Sequence, residues 1–229
     1  MNVFVPRSID FGGPEAPFMT ALLINAALLG LFAAQHSVMA RPAFKNWWTK
    51  YVPRPVERST YVLLASLALV LLFWQWRPMP GVVWSVRNAA GSYALLALAA
   101  VGWLTVLLST YIINHFDLFG LRQVYLNLRG GEYTHLPFKV SAFYKFIRHP
   151  LLLGFIIAFW ATPVMTVGHL VFAVATTAYM LIAIRLEERD LESFHSEYAE
   201  YKRQVPMLIP LPGRKAAAAP EPVSEESAV

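Results

Sequence analysis

The chain has 229 residues, of which 57% are hydrophobic, 14% are charged and none is cysteine, and its formal net charge is +5. Soluble domains carry about a quarter charged residues, so much of this surface must meet lipid. The positive excess then reads as loops beside anionic headgroups, not as a nucleic-acid footprint. The missing cysteines exclude disulfides, thiolate metal sites, iron–sulfur clusters and a cysteine nucleophile.

In chain order, the first charge-free stretch is Phe18–Val38. It follows Asp10 and Glu15 and is long enough to span, so it reads as a membrane helix and not as a cleaved signal. Ser59–Trp76 and Asn88–Asn114 come next, and each fits one helix, since a span needs roughly 17–25 apolar residues. Leu151–Ile184 is too long for one helix and just long enough for two. Thr162-Pro163 and then Thr166-Val167-Gly168-His169 interrupt it, which predicts a tight helical hairpin. Its arms are short, so the second is expected to run on past the membrane through Arg185–Tyr201. Trp47-Trp48, Trp74 and Trp76 fall at span ends, as interfacial anchors do. The last stretch, Ala216–Val229, is rich in Ala, Pro, Glu and Ser. The expectation is an all-α integral membrane bundle of about five transmembrane helices. It forms a single domain over residues 1–213, with a disordered tail over 214–229.

Loop charges orient this bundle. Arg41, Lys45, Lys50, Arg54 and Arg58 lie between spans one and two, and Arg122, Arg129, Lys139, Lys145 and Arg148 between three and four. The loop between two and three has only Arg77 and Arg87, and the hairpin tip has no lysine or arginine. The N-terminus is therefore expected outside and the C-terminus in the cytoplasm.

The polar residues gather on that cytoplasmic side. A loop as long as Phe116–Pro150 is uncommon unless functional. It leads into Arg148-His149-Pro150, with the proline placed at the first turn of span four, where it is well tolerated. The amides of that helix start, with Arg148 beside them, favour an anion. Hairpin topology also puts Arg148 and His149 near Glu187 and Glu188 at the end of span five. An ordinary interfacial ion pair would account for the same neighbours.

Arg148-His149-Pro150-x-x-x-Gly154, Glu187-Glu188 and Tyr198-x-x-Tyr201-Lys202-x-x-Val205-Pro206-x-x-Ile209-Pro210 resemble the C-terminal signature of isoprenylcysteine carboxyl methyltransferases and their bacterial relatives. Gln35-His36-Ser37-Val38-Met39-Ala40-Arg41-Pro42, Pro55-Val56-Glu57-Arg58-Ser59-Thr60-Tyr61 and Asn114-His115-Phe116-Asp117-Leu118-Phe119-Gly120-Leu121-Arg122-Gln123 are similar to the NnrU-like branch. Within that branch the chain looks closest to bacterial methanethiol S-methyltransferases. The resemblance implies S-adenosyl-L-methionine as cofactor, a small volatile thiol as acceptor, and a place in the bacterial cytoplasmic membrane. It also implies cofactor contacts from Tyr144, Arg148, His149 and Glu187 or Glu188, with the backbone of Leu136, Pro137, Phe138 and Lys139 wrapping the adenosine. Leu151 and Leu152 stand where the carboxyl methyltransferases usually carry an aromatic, which sets this chain apart from prenylated substrates.

A thiol with a pKa of about 8.5 needs a base or a cation to become a nucleophile. The candidates are His36, His115 and Asp117, aided by Arg41 or Arg122. The plainer reading makes both histidines interfacial, with Asn114–Asp117 capping a helix end. A different class also stays open. Some NnrU-like proteins resemble zeta-carotene isomerases, and His36 with His115 would then be axial haem ligands. A third reading is an accessory membrane protein of nitrogen-oxide respiration.

Overall fold

The computed structural model describes residues 5–134, 140, 142–194 and 197–210. The wrapping segment Leu136–Lys139 and the tail over 214–229 lie outside the described residues. Among the described residues, four helices are long and apolar enough to cross a membrane: α1 (Phe18–Ala40), α3 (Arg54–Gln75), α4 (Ala89–Ile113) and α8 (Val167–Phe194). Between them lie the short helices α2 (Pro42–Trp48), α5 (His115–Leu118), α6 (Leu121–Leu128) and α7 (Pro150–Trp160), and α9 (Tyr198–Gln204) follows. Leu63, Leu67, Val70 and Trp74 of α3, and Leu104 and Leu107 of α4, stand exposed. Such a surface is stable only against lipid, so the chain is a multi-pass membrane protein.

The helix starts follow local chemistry. Pro55 and Pro150 sit in the first turns of α3 and α7, where a missing N–H costs nothing. Asn88 caps α4 by accepting a hydrogen bond from the Gly91 amide at 2.7 Å. Asn25, fully buried in α1, closes the far end of α3. Its Nδ2 donates to the Arg77 carbonyl at 2.8 Å, and its Oδ1 accepts from the Arg77 amide at 2.9 Å.

The expected final hairpin is present but unequal. Its first arm, α7, has 11 residues, whereas α8 has 28. At 1.5 Å per residue α7 is about 16 Å long, roughly half a bilayer core. The breaker residues also do not form a simple turn. Val164–Thr166 makes a strand, β2, that pairs antiparallel with β1 (Val82–Ser85) in the loop after α3. Pro163 cannot continue a helix, and Val164, Met165 and Thr166 after it pair with Ser85, Trp84 and Val82, with an irregularity at Val83. The N-terminal segment straps this end of the bundle. Trp76 Nε1 donates to the Ile9 carbonyl at 3.0 Å, and Thr166 Oγ1 donates to Asp10 Oδ1 at 2.7 Å.

At the opposite end, α7 lies against α4 through Gly102 and Gly154. A Cβ on Gly154 would sit 2.8 Å from the Gly102 carbonyl oxygen and 3.0 Å from the Val106 amide. Gly102 is eleven residues before the end of α4, but Gly154 is only four after the start of α7. The antiparallel pair therefore leaves Pro150 about 10 Å short of the end of α4. Arg148 and His149 are recessed into the bundle.

Candidate functional site

The recess brings together the residues that hairpin topology placed near one another. Arg148 Nε donates to Glu188 Oε1 at 2.7 Å, and His149 Nε2 lies 3.1 Å from the same oxygen. Lys202 Nζ reaches Glu188 Oε2 at 3.2 Å. The Arg148 and Glu188 side chains are only 9% and 6% exposed. A buried pair is tolerated only where its remaining polar atoms are satisfied. Here Arg148 Nη1 donates to the carbonyls of Lys202 and Val205, which fixes the chain after α9. The Arg148 and His149 amides complete the tie by donating to the carbonyls of Pro206 and Met207. The Tyr-Lys-x-x-Val-Pro segment thus clamps the start of α7. Val140, Tyr198, Tyr201 and Val205 form a small core behind it, with Tyr144 and Leu191 packed alongside.

Glu187 differs from its neighbour. Its side chain is 57% exposed, and its Oε2 lies 3.9 Å from His149 Nδ1. Tyr61 of α3, Tyr144 and Tyr198 all lie within electrostatic range of its carboxylate. Burial first, and then Glu187, pushes the Tyr144 hydroxyl above the usual tyrosine pKa. Burial and then Glu188 do the same to Tyr198, and burial raises Tyr201. Lys202 is held protonated above its ordinary range by Glu192 and then Glu188. The result is an open carboxylate beside a rigid charged frame, walled by tyrosines that stay neutral.

The other candidates lie on two walls. His36 packs between Phe32, Tyr61 and Tyr179, and its Nδ1 is 3.1 Å from the Tyr179 hydroxyl. Arg41, one turn beyond, joins Asp190 of α8 at 3.0 Å. Arg58 lies over the Tyr61 ring and donates to the Leu118 carbonyl, so α3 carries the segment that holds His115. His115 stacks on Tyr111 at 4.6 Å, and its Nδ1 is 3.1 Å from Thr110 Oγ1. Asp117 does not touch His115. It accepts from Arg122 Nη1 at 3.1 Å and Gln123 Nε2 at 3.4 Å on one oxygen, and from the Tyr133 hydroxyl at 3.3 Å on the other. Asn114 Oδ1 accepts from the Asp117 amide, so this run does cap a helix start. An open cavity of about 450 Å³ lies beside this wall, between Arg54 and Pro55 on one side and Gln123, Asn127 and Tyr133 on the other.

Lys202, Tyr179, Asp190 and the free-standing position of Glu187 were not derivable from motif spacing. A signal did exist for three of them. Tyr179 and Glu187 are eight residues apart, which puts them on one side of a helix about 12 Å apart along its axis. Glu188 and Glu192 are four apart, so a single lysine can reach both, and Lys202 does.

Residues 23–211 match the NnrU protein family. The chain is 57% identical to the methanethiol S-methyltransferase of Crocosphaera subtropica, over 93% of this chain and 84% of that protein. It is 56% identical to the one from Mycobacterium tuberculosis, over 93% of this chain and 87% of the relative. Nurim of Mus musculus is 29% identical, over 84% of this chain and 79% of that protein. No solved structure matches. A match over most of the chain, carried by the same helices that build the recess, shows that this protein belongs to the NnrU family, alongside its methanethiol S-methyltransferases.

Proposed function

We propose that the chain transfers a methyl group from S-adenosyl-L-methionine to methanethiol, giving dimethyl sulfide. The reading places it in the bacterial cytoplasmic membrane, with the recess open to the cytoplasm. The observation that carries it is identity above one half to relatives named for this reaction, over nine-tenths of the chain. The residues suit the cofactor. It presents an ammonium and a sulfonium, and Glu187 is an exposed carboxylate flanked by tyrosines. It also presents a carboxylate, which the positive potential at the start of α7 favours. That preference needs no direct contact from Arg148, whose guanidinium is held by Glu188 and the carbonyls of Lys202 and Val205. When bound, it supplies a methyl group on a positively charged sulfur.

In this reading Glu187, His149 and Tyr144 contact the cofactor. Arg148, Glu188 and Lys202 hold that wall in place, and the backbone of Leu136–Lys139 covers the adenosine. His36 takes the proton of the thiol, and Arg41 and Arg58 favour the thiolate electrostatically. His115 and Asp117 order the wall formed by the start of α3 and α6. Thiolate and sulfonium combine to neutral products, so charge is dispersed on the way to the transition state. A dry, apolar bundle favours that change over water. The same bundle concentrates a small lipophilic thiol from the membrane.

The test incubates membranes containing the full chain with labelled S-adenosylmethionine and a panel of methanethiol, larger thiols and a prenylcysteine. Dimethyl sulfide should form, and the prenylcysteine should stay unlabelled. Glu187→Gln should raise the cofactor KM roughly tenfold, as loss of one charge-assisted contact does, without lowering the melting temperature. No transfer to methanethiol, or a Soret band in the purified protein, would overturn the assignment.

A further inference from the structure

Deeper along α8, on the side that carries Glu187, lies a hydrogen-bond chain that the sequence motifs did not suggest. The Tyr179 hydroxyl on α8 lies 3.1 Å from His36 Nδ1 and 3.1 Å from Ser37 Oγ, both on α1. A phenol has one proton, so it donates to one of these groups and accepts from the other. Among the described residues His36 Nε2 has no hydrogen-bond partner. A bare ring nitrogen tolerates that better than an N–H does, because orphaned donors are the rarer and costlier defect. The buried Tyr61 packs on the His36 ring at 5.3 Å and lies within electrostatic range of Glu187. One side chain therefore borders both the His36 cluster and the exposed carboxylate.

We propose that Tyr179 is the positioning residue for thiol activation: its oxygen accepts from His36 Nδ1–H and its proton goes to Ser37, so that His36 Nε2 stays bare toward the acceptor. This rests on the methyl-transfer reading above. The thiol S–H proton moves to Nε2, and the sulfur lone pair forms the new bond to the methyl carbon. The bond from that carbon to the donor sulfonium breaks, leaving its electron pair on the donor sulfur, and the proton is released from Nε2 to solvent. Because Nδ1 already donates to Tyr179, the imidazolium forms without any hydroxyl having to turn. Preorganisation of this kind spares reorganisation at the moment of reaction. The charged and titratable groups facing His36 are Arg58 and Tyr61 from α3 and Tyr179 from α8, with Arg41 one turn on in its own helix.

The experiment uses the full chain in detergent with 15N-labelled histidine, the His36 signals being identified by their loss in His36→Gln. Long-range proton–nitrogen spectra should show a protonated Nδ1 and a bare Nε2 in the wild type. Tyr179→Phe keeps the ring packing and removes the acceptor, and Ser37→Ala removes the group that takes the tyrosine proton. Both variants should shift His36 toward the Nε2–H tautomer. Turnover should fall at least roughly tenfold, a part of what a positioned base contributes, with binding of labelled S-adenosylmethionine unchanged. The deficit should narrow as pH rises toward the thiol pKa, where the nucleophile forms unaided. A protonated Nε2 in the wild type, or an unchanged tautomer and turnover in both variants, would overturn the role of Tyr179. Absence of methanethiol methylation by the wild type would instead overturn the function itself.

Discussion

Replacing Glu188 by alanine tests the frame most directly. The carboxylate is 6% exposed and neutralises Arg148 at 2.7 Å, with His149 at 3.1 Å and Lys202 at 3.2 Å. Lys202 loses least, because it is 38% exposed and keeps Glu192 at 2.9 Å. Arg148 loses most. Its guanidinium would stay buried with only the carbonyls of Lys202 and Val205 beside it. Stranding a buried charge in this way costs about 3–5 kcal/mol. The chain after α9 would loosen with it, and cofactor affinity should fall at least about tenfold, the equivalent of 1.4 kcal/mol. Replacing both partners, Arg148→Leu with Glu188→Leu, removes the stranded charge and should recover more than half of the lost stability. Unfolding in mixed micelles, together with binding of labelled cofactor, measures both quantities. A single variant within about 1 kcal/mol of the wild type would mean the pair behaves like a surface ion pair, and a double variant no better than the sum of the singles would refute the stranded-charge reasoning.

Gly154→Ala should cost about 1–3 kcal/mol in the same unfolding assay, because the new Cβ meets rigid backbone at 2.8 Å and α4 must move away. Arg148 and His149 lie just beyond that crossing, so the variant should also weaken cofactor binding; full stability would show that the helices are not in contact there. Raising pH should destabilise the protein above about pH 10. Tyr144, Tyr198 and Tyr201 have folded pKa values raised above the ordinary 10.0, chiefly by burial, so their contribution is complete below that value. It is lost as pH climbs toward the folded values, since the unfolded chain releases those protons first. Tyr198→Phe with Tyr201→Phe should flatten the alkaline limb of a melting-temperature profile, and an unchanged limb would remove those tyrosines as its cause.

Sequence by itself determined the membrane-spanning helices and the neighbours at the charged end. A run such as Asn88–Asn114 has no charge to expose, and in lipid only a helix satisfies its backbone, so α4 follows within a residue or so. A tight hairpin returns the chain to the side it left, so Arg148 had to lie near Glu187 and Glu188 whatever the packing. Other features were decided only by tertiary contacts. Pro163 stops α7 locally, but that the next residues form a strand depends on β2 finding a partner in β1, a pairing between segments some eighty residues apart that no local pattern encodes. Which glutamate is buried depends on where α9 returns, since adjacent positions on α8 differ only in the direction they face. Lys202 and the Val205 carbonyl arrive at one of them and close it off. Glu187 is left open, beside tyrosines from three separate elements. Tyr179 meets His36 through the side-by-side packing of the first and last long helices. The helices were readable because lipid imposes one solution on an apolar segment, whereas the site came from contacts between distant segments, where a one-residue difference in facing decides which carboxylate is free.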